Sequence, residues 1–186
     1  MNDLTLNGFA NAGVDRARTF EADLAVGGVF EMECVGPDGQ TKWKETLKNG
    51  VTNLGINNIL DVYLRAQSQT SNWYLGLIDN AGYSALAATD VMGSHTGWAE
   101  NTSYSNSNRV TWTPVAAAGQ SIANSVTCDF NINGDATIRG VFICSTNDKG
   151  GTTGTLFATA AFTAGNQVVA NGDTLKVTYT VSGVSG

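Results

Sequence analysis

The single histidine, His95, stands in SHTGWAENTSY at residues 94–104, beside Ser94 and three residues before Trp98. A serine, a histidine and a nearby acid have the groups for nucleophilic hydrolysis, in which imidazole takes the hydroxyl proton and a carboxylate orients the ring. Adjacency in sequence does not place the Ser94 hydroxyl on a ring nitrogen, however, and no GxSxG turn presents a serine elsewhere. Asp79, Asp90 and Glu100 raise a second chemistry, a pair of opposed carboxylates for glycoside hydrolysis, but their spacing defines no cleft. Asp148 in NDKGGTTG has the oxygen chemistry for calcium, yet the segment fits neither EF-hand spacing nor GxxxxGK[ST], and a glycine-rich hairpin tip is the simpler account. Cys34, Cys128 and Cys144 form no CxxC pair, which argues against zinc or a redox motif. Cys128 and Cys144 lie in the apolar runs VTCDF and VFIC, where a free thiol behaves as a small hydrophobe; a bridge between these two is the alternative. The expectation is therefore a non-enzymatic protein with no catalytic residue, metal ligand or cofactor.

Six aromatics, Trp73, Tyr74, Tyr83, Trp98, Tyr104 and Trp112, fall within 40 residues. Buried rings fill a core, whereas rings exposed on loops anchor interfaces or stack on sugars. Trp73 and Trp112 are expected in the core, while Tyr83, Trp98 and Tyr104 divide between core and interface.

The elements that must position these residues are mostly strands. VFEMECV alternates, with Phe30, Met32 and Cys34 on one side and Val29, Glu31, Glu33 and Val35 on the other, as a half-buried strand should. PDG then turns the chain into TKWKETL, making a hairpin over 29–47. The segment 53–66 is the one convincing helix: Ile56, Ile59, Leu60, Tyr63 and Leu64 share a face expected to pack on the core, and Thr52 or Asn53 is the N-cap. WYLGLID is a short buried strand whose Gly76 implies a bulge or a close backbone approach. Residues 80–108 are irregular, and a loop of that length is functional or packed against something. Strand-like runs follow at short spacing: RVTWTPV, SIANSVTCDFNI, ATIRGVFICST, TLFATAAF and DTLKVTYTVSG. NINGD and VANGD read as hairpin turns. About eight strands in all point to an antiparallel β-sandwich or jelly roll with one inserted helix.

Composition bounds what such a fold can do. The 186 residues suit one domain, divided here into an N-terminal arm (1–25) and a β-sandwich (26–186). The first segment buries little by itself; it reads as an extended arm on a neighbouring subunit or as a brief helix over Asp15–Leu24. Charged residues are 14% of the chain against about 25% in an average globular protein, and the net charge is −6. That balance argues against direct nucleic-acid binding, because no cluster of lysine or arginine is present to neutralise phosphates. Neither a secretory signal nor an apolar membrane span is visible, so synthesis in a cytoplasm without membrane association is expected.

The order of WYLGLID, SHTGWAE, Tyr104 and Arg109, preceded by NGVTNLGINNILDVYL and followed by RVTW, resembles a group of small virion structural proteins of tailed bacteriophages. The likeness covers roughly residues 45–115. It implies a capsid decoration or cement protein made in the bacterial host cytoplasm, with the major capsid protein as partner and a homotrimer as the oligomer. A tail or tail-fibre component recognising a host-surface glycan is the alternative, and a jelly-roll carbohydrate-active enzyme is a third. No catalytic residues carry over. Tyr83, His95, Trp98, Glu100, Tyr104 and Arg109 are the candidate interface residues.

Overall fold

A computed structural model describes residues 25–184. Residues 1–24, which hold nearly all of the expected arm and the alternative helix, lie outside the described residues, and Ala25 already belongs to the first strand. The elements in chain order are β1 (Ala25–Val35), β2 (Thr41–Lys48), β3 (Gly50–Val51), α1 (Asn53–Leu64), β4 (Trp73–Asp79), β5 (Glu100–Asn101), β6 (Val110–Trp112), β7 (Ser121–Ala123), β8 (Cys128–Asn131), β9 (Ala136–Cys144), β10 (Leu156–Ala161), β11 (Gln167–Val169) and β12 (Thr174–Val184). They form the expected antiparallel sandwich. One sheet runs β2-β1-β12, with β7 and β8 sharing the far edge of β12; the other runs β3-β10-β9-β4, with β11 beside β9 and with β5 and β6 beside β4.

The hairpin and the terminal strand follow directly from their patterns. Phe30, Met32 and Cys34 of β1 and Leu175, Val177 and Tyr179 of β12 are buried in the shared core. Fully burying a large apolar side chain is worth about 1.5–3 kcal/mol. A one-residue slip would exchange those side chains for Glu31 and Glu33, so the alternation specifies the register.

Twelve strands appear among the described residues where about eight were expected, partly because edge strands are broken in two. SIANSVTCDFNI is not continuous: it splits at Asn124 into β7 and β8. The Asn124 side chain bridges the gap as a backbone would. Its Oδ1 accepts from Tyr179 N (2.8 Å) and Trp112 Nε1 (3.0 Å), and its Nδ2 donates to Val126 O (2.7 Å) and Val177 O (3.2 Å).

The helix forms where expected, with Thr52 Oγ1 accepting from Gly55 N at 3.0 Å as the N-cap. Its apolar face does not pack as expected. The first turn lies so close to β10 that a side chain on Gly55 would collide with the Phe157 carbonyl, and Ile59 alone of the five stripe residues joins the core rim. Ile56, Leu60, Tyr63 and Leu64 are exposed, Tyr63 by 87% and Leu64 by 74%. The helix is anchored at its N-terminus through backbone contact, and that anchor carries its later turns away from the sheet. No helix among the described residues is long and apolar enough to cross a membrane.

The three cysteines are free and buried. Cys128 and Cys144 stand in different sheets, so the alternative bridge is absent. Burial pushes the Cys128 thiol up to about 12, and burial together with the Asp173 charge does the same for Cys34.

The VANGD turn is more than a connection. It buries Asp173, whose two carboxylate oxygens lie 2.6 and 2.8 Å from Lys42 Nζ on β2 and which also accepts from Ala170 N at 2.8 Å. Burial alone would raise the Asp173 pKa; the hydrogen bonds from Lys42, Ala170 and Cys34 outweigh it and hold the carboxyl below its ordinary value. A depressed folded pKa stabilises the fold above the unfolded value of about 3.9, and that contribution is lost as pH falls through the folded value. Asp173→Asn should therefore lower the melting temperature at neutral pH, with the gap from the unaltered protein narrowing on acidification below about pH 4. Thermal melts across pH 2–7 check this.

Candidate functional site

Residues 80–108 do not hang free; they cover the outer face of the second sheet. Successive residues of a strand point to opposite faces, so Val141 and Ile143 of β9 enter the main core while Phe142 and Cys144 point outward. There they meet Ile78, Leu156, Met92 and Trp98 in a second, smaller core. This layer explains why Leu75 through Ile78 of β4 are all buried. Gly76 makes the close approach expected of it, since a side chain there would run into the Phe142 ring.

Five of the six candidate residues gather around that layer in two groups that meet at Phe142, and Tyr104 packs in the main core against Phe130 with its hydroxyl 3.4 Å from Glu100 Oε1. In the first group Arg109 is completely buried and paired with Glu100, whose side chain is 7% exposed. Arg109 Nε lies 3.0 Å from Glu100 Oε1 and Nη2 lies 2.7 Å from Oε2, a two-pronged contact. The remaining donors reach Gly151 O (2.7 Å), Thr146 O and Oγ1 (3.2 Å each) and Cys144 Sγ (3.3 Å). A guanidinium has five N–H donors in a fixed fork, and here each has an acceptor. Burial works against the Arg109 charge, and the Glu100 pairing outweighs it, so the pKa is raised further. The guanidinium also lies 5.2 Å from the centre of the Phe142 ring.

The loop at 145–155, expected as an exposed hairpin tip, is fastened down by this cluster. Gly150 N donates to Glu100 Oε2 at 2.9 Å. Lys149 Nζ donates to the carbonyls of Tyr104 and Asn106, each at 2.8 Å, and sits 4.5 Å from the centre of the Tyr104 ring. Gly150 and Gly154 have φ values of 77° and 97°, a left-handed conformation that glycine adopts without cost from a Cβ. Burial and the neighbouring Glu100 charge raise the Tyr104 pKa, which keeps its phenol protonated. Burial likewise raises the Cys144 thiol despite the adjacent Arg109, so it is not poised as a thiolate.

In the second group the His95 and Trp98 rings stack with centroids 3.8 Å apart. His95 Nδ1 is 2.9 Å from Trp98 O; a carbonyl only accepts, so that nitrogen carries the proton and donates. Trp98 Nε1 donates to Asp90 Oδ2 at 3.0 Å, and the Trp98 ring tilts against Phe142 at 5.2 Å. Tyr83 is half-buried, with the Arg139 guanidinium 4.6 Å from its ring centre.

Of the six residues expected at a contact surface, Trp98, Tyr104 and Arg109 are buried within this chain and Glu100 is nearly so, holding the loops from beneath. Tyr83 and His95 keep partial exposure. The three acids weighed for glycoside chemistry are each engaged separately: Asp79 with Ala81 N and Asn101 Nδ2, Asp90 with Trp98 and Ala87 N, and Glu100 with Arg109. Among the described residues no group of three or more histidine, cysteine, aspartate or glutamate side chains is placed to hold a metal ion. Sequence reasoning did not single out Phe142, Thr146 or Lys149. The only local sign was the glycine-rich NDKGGTTG, which marks a loop but not what the loop touches. Compared with known proteins, the chain matches no family model, and no curated protein matches it either.

Removing one member of a buried ion pair leaves an uncompensated charge, at a cost of about 3–5 kcal/mol. Arg109→Met and Glu100→Gln should each destabilise the fold by about that amount. Arg109→Met combined with Glu100→Met should recover part of the loss, and a double-mutant cycle from chemical denaturation measures the coupling.

Proposed function

We propose that the protein is a non-enzymatic structural component of a tailed-phage virion, a decoration or cement protein that binds the assembled head through the major capsid protein. One observation carries this reading: the residues behind the resemblance, His95, Trp98, Glu100, Tyr104 and Arg109, turn their polar atoms and ring faces inward to brace two polar loops. Such a cluster suits a rigid surface for assembly. Of the aromatic rings considered for glycan stacking, Trp98 and Tyr104 are buried against His95, Phe142 and Lys149, which favours the head over the tail alternative.

The contact itself is assigned to the exposed face of α1, where Leu60, Tyr63 and Leu64 lie on successive turns. Aromatic and aliphatic side chains of this kind anchor the centres of interfaces. A protein that binds only the assembled lattice shifts the equilibrium toward the intact particle by mass action. A homotrimer, as the resemblance implies, would multiply that effect through effective concentration.

Purified protein added to heads that lack it should cosediment with them and raise the temperature at which they burst. Tyr63→Asp together with Leu64→Asp should weaken that binding by about tenfold or more, roughly 1.4 kcal/mol, without moving the melting temperature of the free protein. Full binding by the variant would reject α1 as the contact, and failure of the unaltered protein to bind heads would reject the decoration role.

A further inference from the structure

The turns NINGD and VANGD each carry an asparagine followed by glycine, and Asn49–Gly50 is a third such pair among the described residues. In these pairs the glycine amide nitrogen can attack the asparagine side-chain carbonyl, because no Cβ on the second residue shields it. The attack requires that nitrogen to be free of a hydrogen bond, the asparagine side chain to be free to swing toward it, and solvent to carry off ammonia.

At two of the three pairs the fold withholds these conditions. Gly172 N donates to Ile132 O and Asn171 N to Asp135 Oδ1, each at 2.9 Å. Asn49 N donates to Gly28 O at 3.0 Å, Asn49 Nδ2 donates to the Tyr179 hydroxyl at 2.7 Å, and Gly50 is held in β3 against Thr159 of β10. The third pair differs. Asn133 is exposed, and among the described residues neither its side chain nor Gly134 N has a hydrogen-bond partner. Its neighbours are fixed: Ile132 N donates to Asp173 O at 2.8 Å, and Asp135 accepts from Asn171 N. The reactive pair therefore stands free between two anchored residues.

We propose that Asn133 is a site of spontaneous covalent modification, converting to aspartate and isoaspartate in the folded protein while Asn49 and Asn171 persist. Gly134 N gives its proton to solvent base and bonds to Asn133 Cγ; the Cγ–Nδ2 bond breaks, and Nδ2 leaves as ammonia with a proton from solvent. Water then opens the cyclic imide at either carbonyl, with no oxidant or reductant involved. Both products add a negative charge two residues from Asp135, on a chain whose net charge is already −6. Opening at the main-chain carbonyl also routes the backbone through Cβ, lengthening it between the anchored Ile132 and Asp135. The site belongs to the isolated chain and does not depend on the virion reading.

The test holds the purified full chain at mildly alkaline pH, folded and in denaturant, and follows each asparagine over time by peptide mapping with mass spectrometry. In the folded protein Asn133 should convert faster than Asn49 and Asn171, by about two- to tenfold for each hydrogen bond those sites must break. In denaturant the three rates should converge. Gly134 lies outside the left-handed region, and a Cβ there would meet Ser103 Cβ no closer than 4.0 Å. Gly134→Ala should therefore leave the melting temperature unchanged and slow conversion at Asn133 several-fold. Equal rates at the three sites in the folded protein, or the same ranking in denaturant, would overturn the proposal. So would conversion in Gly134→Ala as fast as in the unaltered chain, or a product with no isoaspartate.

Discussion

The pairing of Arg109 with Glu100 is the contact on which the outer layer of the molecule depends. The loop at 80–108 brings Met92 and Trp98 onto the sheet, while the loop at 145–155 is polar and rich in glycine and threonine and brings no large apolar side chain with which to bind it. Their carbonyls must find donors once covered. A single guanidinium meets that need from one point, joining Glu100 at β5 to Thr146 and Gly151 across the sheet. A lysine offers a point charge on a flexible stem and could not satisfy the same set with one rigid fork. Replacing such a pair with apolar groups is often neutral in energy, so its contribution here is placement: it dictates which loop atoms meet.

That placement has a consequence for the rest of the fold. With the loops fastened, Phe142 and Trp98 acquire a closed environment, and the second sheet becomes buried on both faces. β4, β9 and β10 accordingly carry near-continuous apolar runs, as strands covered on both sides do. The opposite end of the sandwich has no such layer. There α1 stands on its first turn with an uncovered stripe, and the sheets part around an uncharged hollow. One region has its polar groups paired while the other has unmet apolar surface, and the proposed contact follows from that asymmetry.

Much of the architecture was legible in the residues themselves, because alternation and helical spacing are properties of neighbours. VFEMECV and DTLKVTYTVSG state which side faces the core, PDG states where the first hairpin turns, and Thr52 states where the helix starts. The apolar stripe on α1 misled for a physical reason: periodicity says that a face exists, while the collision course between Gly55 and the Phe157 carbonyl decides how far that face stands from the sheet. The break at Asn124 was equally hidden, since an asparagine that substitutes for backbone hydrogen bonds looks in sequence like one more polar residue of a strand.

Sequence alone determined the fold class, the register of the long strands and the absence of a local catalytic or metal motif around His95. Tertiary structure decided what the chemically suggestive residues are for. Arg109 meets the carbonyl of Gly151 across 42 residues, and Lys42 meets Asp173 across 131. No local pattern encodes which distant acceptor a buried charge will find. That choice is made only when packing removes water from around the charge, and at that point His95, Glu100 and Arg109 became the supports of a covered surface.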